Sequence, residues 1–291
     1  MRFLRRRPAP AATASVSLAR ALSKLGYCSR TQAEKLVRDG RVTVDGHSVR
    51  QPDLRLDPQR ARLAVDGQPV TAARRIYLML NKPRGVVTTA NDPEGRKTVH
   101  ACLEGLDLPH LAPVGRLDMA SEGLLLMTND TRWAQRILDP ASGVDKSYHV
   151  QIDRVPDEAF MARLRQGAVD GDEVLSIRSA ALLRSGERNA WVEMVIDEGR
   201  NRQIRRIVEA AGAEVLRLVR VRIGELALGD LAKGAIRELS PEEMALPLAG
   251  HPAGAARARP DWSMRLSAPA PSPALRARPP SAYAPAGSRP S

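Results

Sequence analysis

A carboxylate and a guanidinium lie two residues apart, directly before a run of apolar residues. Arg116 and Asp118 occur in the stretch APVGRLDMASEGLLLMTND, where GLLLM reads as a buried strand. Because side chains alternate along an extended chain, Arg116 and Asp118 would share one side, and Leu117 would point to the other. This spacing fits a structural ion pair, and it equally fits a catalytic acid with a basic companion.

Two further side chains have types that are suited to chemistry. Tyr148, one of only four tyrosines, lies in DKSYHV, a predicted strand on which Lys146 and Tyr148 share a face. Arg205 lies one turn into a helix predicted over RNRQIRRIVEAAG. Taken singly, Asp118 is typical of a turn or an ion pair, Tyr148 of a core and Arg205 of a surface. Spacing alone does not show that the three side chains converge.

The composition argues against a membrane protein and against several kinds of cofactor site. No run of about 18 apolar residues occurs, and the basic start lacks the apolar stretch of a signal peptide, so a cytoplasmic protein is the default expectation. Cys28 and Cys102 show no C-x-x-C spacing, and the five histidines form no ligand pattern, so no disulfide or metal site is predicted. Glycine-rich nucleotide motifs are missing from the sequence as well, and we expect no cofactor.

The positive charge is unevenly distributed along the chain. The net charge is +12; residues 15–75 contain 12 Lys and Arg against 6 Asp and Glu, whereas residues 76–249 contain 23 against 26. The basic tails, 1–14 and 249–291, are rich in Ala, Pro and Arg, and they are predicted to be disordered. A small basic domain beside a near-neutral large one suggests a module that binds a polyanion such as nucleic acid, although a basic protein with solvated charges is the plainer alternative.

Residues 15–75 form a predicted α/β unit. Apolar residues recur at helical spacing up to Gly26, and Ser29 can cap a second helix that Gly40 ends. Two alternating stretches, RVTVDGHSV and LAVDGQPV, each contain the Asp-Gly pair of a tight hairpin. The segment SLARALSKLGYCSRTQAEKLVRDGRVTVDGHSV resembles the S4 RNA-binding domain, which binds structured RNA through phosphates. The candidate contacts are therefore Arg30 and Arg41, followed by Lys35 and Arg38, with a solvated helix face as the alternative for each.

Residues 76–248 combine short strands with a few helices, which predicts an α+β domain built on a mixed, mainly antiparallel sheet. YLMLNKPRGVVTT is interpreted as strand, turn and strand; GLLLMT, KSYHVQID, AWVEMVIDEG and EVLRLVRVRIGEL are further predicted strands. Helices are predicted from Asp130 or Thr131 to Leu138, over RNRQIRRIVEAAG, and from the capping-box pattern SPEE at Ser240.

Four motifs of this second segment occur together in a distinctive order. YLMLNKPRGVV, GRLDMASEGLLLMTND, DKSYHV and EGRNRQIRRI are similar to the motifs of the RsuA/RluB/RluE/RluF family of ribosomal RNA pseudouridine synthases. With the S4-like segment in front, the resemblance covers residues 15–248. NDPEGRKTV is most like the RluB branch, which acts on large-subunit ribosomal RNA.

The resemblance implies an isomerase that breaks the N1–C1′ bond of a uridine, turns the uracil and rejoins it through C5. It implies that Asp118 is the catalytic carboxylate, that Tyr148 packs against the base and assists proton transfer, and that Arg205 pairs with Asp118. Arg116 would help to hold the flipped-out nucleotide, and Arg202 and Arg206 are further candidate contacts to RNA. The expected partner is ribosomal RNA or a ribosomal assembly intermediate, and a monomer is the default.

Three alternatives remain open at this stage. The target could lie in small-subunit ribosomal RNA, or the chain could be a ribosome assembly factor that binds RNA without turnover. A hydrolase that resembles a glycosidase would need a second carboxylate near Asp118, and Glu122 is the nearest candidate in sequence.

Overall fold

The computed structural model describes residues 15–90 and 92–249. These residues divide into two compact units. The first contains the described residues up to Arg75 together with Pro109–Leu111, and the second begins at Ile76. The predicted disordered tails lie outside the described residues, apart from Ala249.

The first unit packs two helices against short strands. In chain order its elements are β1 Val16–Ser17, α1 Leu18–Lys24, α2 Arg30–Arg38, β2 Val42–Val44, β3 His47–Val49, β4 Arg55–Leu56, β5 Leu63–Val65 and β6 Gln68–Pro69. Strands β3, β2, β5 and β6 form one sheet in that order, and β1 pairs with β4. The helices and strands thus follow the α/β pattern expected from the sequence.

Local sequence explains where these elements begin and turn. Ser29 and Gln32 form a capping box at the start of α2, each side chain accepting a hydrogen bond from the other residue's backbone N–H. Both Asp-Gly pairs have positive φ at both residues, for example 50° at Asp45 and 86° at Gly46. A two-residue hairpin of type I′ requires this backbone, and the two predicted hairpins are confirmed.

The second unit is built on one nine-stranded sheet. Its strands are β7 Tyr77–Lys82, β8 Ala112–Pro113, β9 Glu122–Thr128, β10 Lys146–Ile152, β13 Ser179–Ser185, β14 Ala190–Ile196, β15 Val215–Ile223, β16 Leu226–Ala227 and β17 Ile236–Glu238. A separate hairpin contains β11 Ala168–Asp170 and β12 Glu173–Leu175. The helices are α3 Thr131–Leu138, α4 Glu158–Gln166 and α5 Gln203–Ala210, and 3-10 turns cover Val99–Leu103, Pro140–Ser142 and Leu246–Leu248.

The order of the main sheet brings distant segments together. It runs β13-β14-β10-β15-β9-β7-β17, with β16 on β15 and β8 on β9. Only the β15–β9 pair is parallel among the described strand pairs. The mixed, mainly antiparallel sheet is therefore confirmed. Every residue of β9 is buried, as its continuous apolar run predicted.

Two predicted elements are wrong, and one helix was not predicted. The segment after Pro83 does not form a second strand: Val87 makes only an isolated bridge with Thr98, because Gly85 and Thr88 hydrogen-bond to the loop that contains Asp118. The Ser240 capping box forms, but it is followed by turns and a 3-10 helix instead of an α-helix. Helix α4, which Asp157 caps, was missed.

The described helices include none that is long and apolar enough to cross a membrane. Within residues 15–90 and 92–249, no three His, Cys, Asp or Glu side chains cluster as metal ligands. Cys28 and Cys102 are both free thiols.

Candidate active site

An open cleft of about 310 Å³ lies in the second unit, and it collects residues from separate motifs. Arg116, Asp118 and Tyr148 all line it, as do Arg202 and Lys146. The volume is at the lower end of the range that small-ligand pockets occupy, about 300–1,000 Å³. Arg116 is exposed and Asp118 is half-buried, so the two side chains share a cleft, and no ion pair joins them among the described contacts.

The loop that carries Asp118 is fixed by hydrogen bonds to its backbone. Each of the five successive carbonyls from Leu117 to Ser121 accepts a hydrogen bond. Lys82 Nζ donates to Asp118 O at 3.1 Å and to Ser121 O at 2.8 Å, and Ser121 N also donates to Asp118 O, at 2.9 Å. The other three carbonyls have one donor each: Thr88 Oγ1 to Leu117 O at 2.7 Å, Gly85 N to Met119 O at 2.7 Å, and Arg205 Nη2 to Ala120 O at 3.3 Å. A carboxylate on such a loop is held in one position before substrate arrives, which is a requirement of a catalytic group.

Lys82, the last residue of β7, is the main donor to this loop. Its side chain is fully buried, and Nζ donates to three carbonyls, those of Pro83, Asp118 and Ser121. Burial lowers the pKa of Lys82 to about 8, against an opposing effect of acidic groups that include Asp118. Lys82 is not among the residues predicted from the sequence, because no local pattern around Asn81-Lys82-Pro83 indicates that the lysine is buried.

Arg205 lies behind the loop and does not line the cleft. Its Nη1 and Nη2 donate to Val215 O and Ala120 O, both at 3.3 Å. The pKa of Arg205 is lowered by burial and by the charge of Arg202, while the Asp118 carboxylate opposes this shift. Asp118 and Arg205 therefore interact electrostatically, but the structure shows no direct ion pair between them: the arginine holds the carbonyl two residues further along.

Tyr148 lies on β10, an interior strand of the sheet, and is 7% exposed. It is opposite Met194 on β14 and opposite Arg220 on β15. Lys146 lines the same cleft, as expected for alternate residues of β10. The ring is thus a rigid wall of the cleft that a planar base can contact.

Glu122 is not available as a second catalytic carboxylate. It is 3% exposed, does not line the cleft, and forms ion pairs with Arg217 and Lys233. Burial alone would raise the pKa of Glu122, but the hydrogen bonds from these two cations lower it overall.

The carboxylates that do share the cleft with Asp118 are also paired with cations. Asp197 forms an ion pair with Arg178 at 2.9 Å, and Glu198 forms one with Arg200 at 2.9 Å. With Glu122 also engaged, the described residues offer the hydrolase alternative no unpaired carboxylate beside Asp118 in the cleft.

The predicted RNA contacts occupy different settings. In the first unit each is exposed and forms an ion pair with a nearby acid: Arg30 and Arg38 with Glu34, Lys35 with Asp39, and Arg41 with Asp66. In the second unit Arg202, the residue before α5, has a left-handed backbone conformation and lines the cleft. Arg206 is held by Asp170 and Glu173 of the β11–β12 hairpin. These roles in RNA binding remain predictions.

Comparisons with known proteins identify the families that the two units resemble. The family model "RNA pseudouridylate synthase" matches residues 76–210, and the S4 domain model matches residues 16–60. A protein of Aquifex aeolicus named as an RNA pseudouridine synthase is 38% identical over 226 residues, which cover 77% of this chain and 90% of that protein. A protein of the same name from Rickettsia prowazekii is 38% identical over 224 residues, 77% of this chain and 94% of its own.

A solved structure gives the same assignment for the fold. A crystal structure of a pseudouridylate synthase is 29% identical, covers 80% of this chain and all of its own, and superposes with a TM-score of 0.56. The relatives at 38% identity extend across both units and match nearly their full length. This chain therefore belongs to the RNA pseudouridine synthases that carry an S4 domain, a family of enzymes that isomerise uridine in RNA.

Proposed function

We propose that this enzyme converts one uridine of large-subunit ribosomal RNA to pseudouridine, with Asp118 as its catalytic carboxylate. The observation that carries the proposal is the position of Asp118, which lies on a loop with every carbonyl hydrogen-bonded, in one cleft with Tyr148 and Arg116. The substrate is free ribosomal RNA or an assembly intermediate, and the enzyme acts as a cytoplasmic monomer without a cofactor.

In this mechanism the target uridine leaves its stack and enters the cleft. Extrusion costs a few kcal/mol, and stacking of the uracil against Tyr148 offsets about 1–3 kcal/mol of that cost. Arg116, exposed at the cleft, contacts the backbone of the extruded nucleotide. Asp118 then either attacks C1′ or removes a ribose proton, and both routes begin from the ionised carboxylate.

Two cations lie near Asp118 in this arrangement. Lys82 is fully buried and Arg205 is half-buried, and the charge of Asp118 acts on both of them. In this proposal Tyr148, which lines the same cleft as Asp118, assists the proton transfer at C5 that completes the reaction.

The proposal is tested with Asp118→Asn, which keeps the shape of the side chain and removes its charge. We expect loss of pseudouridine formation by at least about 10³-fold with RNA affinity within about threefold of wild type. Asp107→Asn is the matched control, since Asp107 is exposed and does not line the cleft. Full activity of Asp118→Asn would show that another group does the chemistry.

The identity of the RNA is tested separately, by mapping pseudouridines in ribosomal RNA from cells that lack the protein. One missing pseudouridine in large-subunit RNA, restored by wild type and not by Asp118→Asn, is the expected result. If the missing pseudouridine is in small-subunit RNA, the substrate is small-subunit RNA and not large-subunit RNA. No missing site in either RNA, with a defect in ribosome assembly that Asp118→Asn repairs, would favour the binding-factor alternative.

A further inference from the structure

Arg220, on β15, is a buried cation that has no role in the mechanism proposed for Asp118, Tyr148 and Arg116. It is 4% exposed and lines the same cleft as Asp118 and Tyr148. Its Nε donates to Leu124 O at 2.8 Å, while its Nη2 is buried without a hydrogen-bond partner. Among the described residues no carboxylate forms an ion pair with it, which is unusual because a buried guanidinium normally has an acid or several acceptors.

The backbone of Arg220 is held rigidly at this point. On one side it pairs with Tyr148, and on the other with Gly123 at the parallel β9–β15 contact. Gly123 has φ of 102°, and a Cβ there would lie 2.7 Å from Arg220 N and closer still to Arg220 O. The strands therefore approach each other closely, and residues that pair across neighbouring strands point to the same face. This places the side chains of Arg220 and Tyr148 side by side in the cleft.

The other cations near the cleft are hydrogen-bonded, solvated or outside the cleft lining. Both Nη atoms of Arg205 donate to carbonyls; its Nε is buried without a hydrogen-bond partner, but Arg205 does not line the cleft. Arg116 is exposed. Lys146 donates to Val144 O at 2.8 Å and Asp197 O at 3.2 Å. Arg220 combines a buried position with a free donor, and a hydrogen bond from such a donor to a developing anion is much stronger than one in water.

The proposed isomerisation produces a negative charge on the base, and this inference rests on that proposed function. When the N1–C1′ bond breaks, its electron pair stays on the uracil and is delocalised over N1, O2 and O4. We propose that Arg220 donates a hydrogen bond to a uracil carbonyl oxygen and stabilises the detached base as an anion, beside the Tyr148 ring. The electron pair then forms the C5–C1′ bond, while the Asp118–C1′ bond breaks or Asp118 returns the ribose proton, depending on the route. C5 loses its proton and N1 gains one, so the product has the same atoms as the substrate and Asp118 is regenerated. Arg220 keeps its own protons throughout.

Arg220→Gln and Arg220→Lys test this role in the full-length protein. Removal of one donor to a developing anion typically lowers kcat by about 10²–10³-fold. We expect a fall of that size in Arg220→Gln, a smaller fall in Arg220→Lys, and KM and RNA affinity within about threefold of wild type. Arg222→Gln, on the same strand and not lining the cleft, is the matched control. Wild-type kcat in a folded Arg220→Gln would overturn the proposal.

RNA that carries 2-thiouridine or 4-thiouridine at the target position separates this role from a structural one. If Arg220 contacts a carbonyl, the ratio of kcat for the oxygen and sulfur substrates at that position should differ between wild type and Arg220→Gln by at least about fivefold. Equal ratios at both positions would show that Arg220 acts only on the fold, and Arg220→Lys provides the same comparison if the glutamine variant does not fold. Wild type that modifies no uridine would overturn the proposed function itself, whereas an active wild type with an unaffected Arg220→Gln overturns only this inference.

Discussion

Asp118 owes its position to side chains that hold the backbone around it. Lys82 is the clearest case, because its buried ammonium donates to three carbonyls and two of them belong to the Asp118 loop. A buried charge destabilises a fold unless it is well hydrogen-bonded. Here the residual cost appears as the lowered pKa of Lys82, about 8 instead of 10.5.

The lowered pKa predicts opposite pH trends for activity and stability. We expect activity to fall as pH rises through about 8, since the neutral amine has two hydrogens for three carbonyls and no charge to offer Asp118. The contribution of Lys82 to stability should rise with pH. Between about pH 8 and pH 10.5 the unfolded state binds more protons at Lys82 than the folded state does. The free energy of unfolding therefore increases with pH over this range because of this residue.

Denaturant unfolding of wild type and Lys82→Met across this pH range isolates the contribution. The methionine has a similar length and does not titrate, so the difference in unfolding free energy should shift in favour of wild type as pH increases. A difference that stays constant with pH would contradict the assignment of the titration to Lys82. The activity of wild type, followed over the same range, checks the other half of the prediction.

Elements with strong local signals were predictable from the sequence. The buried run of β9, the Asp130 cap of α3 and the inward Ile204, Ile207 and Val208 of α5 all occur as expected. Elements that depend on distant partners were not predictable. The segment after Pro83 has the composition of a strand, yet Thr88 hydrogen-bonds to Leu117, a contact that no local pattern indicates.

The candidate site shows the same division between local and non-local information. The resemblance to a family led to Asp118 and Tyr148, which share the cleft. The roles of Lys82 and Arg220 depend on the strand order, in which β15 lies between β10 and β9, and β7 adjoins β9. A sequence lists these residues far apart, and a buried lysine or arginine is rare enough that its letter alone suggests a surface position.

Gly123 tests how closely β9 and β15 must approach. Gly123→Ala should destabilise the protein by about 3 kcal/mol, because two costs add together. Overpacking against the Arg220 backbone costs about 1–3 kcal/mol, and the strain of an alanine at positive φ costs about 1–2 kcal/mol. Gly212→Ala is the control: Gly212 has φ of 89°, but nothing lies within 4 Å of its added Cβ, so only the strain applies. Denaturant unfolding measures both. Equal losses in the two variants would show that the strands can separate at no cost.

At the scale of the whole molecule, the two units have different electrostatic characters. The basic excess of the chain lies in the first unit and the tails, while residues 76–249 carry slightly more acidic than basic groups. The cleft that contains Asp118, the candidate active site, lies in the second unit. Affinity for RNA and turnover of uridine should therefore respond to different sets of substitutions.

The exposed cations of α2 provide the test of this separation. Lys35 and Arg38 have side chains that are 78% and 63% exposed, and their ion pairs within the helix are worth at most about 1 kcal/mol, so phosphates can replace the acids at little cost. The double variant Lys35→Gln/Arg38→Gln should bind RNA more weakly and with a shallower salt dependence, because each phosphate contact contributes about 0.7–0.9 to the slope of log K against log salt. Its kcat at saturating RNA should equal that of wild type.

The control variant Arg60→Gln/Arg62→Gln removes the same charge from exposed positions of the same unit outside α2. It should change the salt-dependence slope less than the α2 variant does. If both pairs lower the slope equally, net charge and not the face of α2 determines binding; if the first pair lowers kcat, the two units do not divide the work in this way.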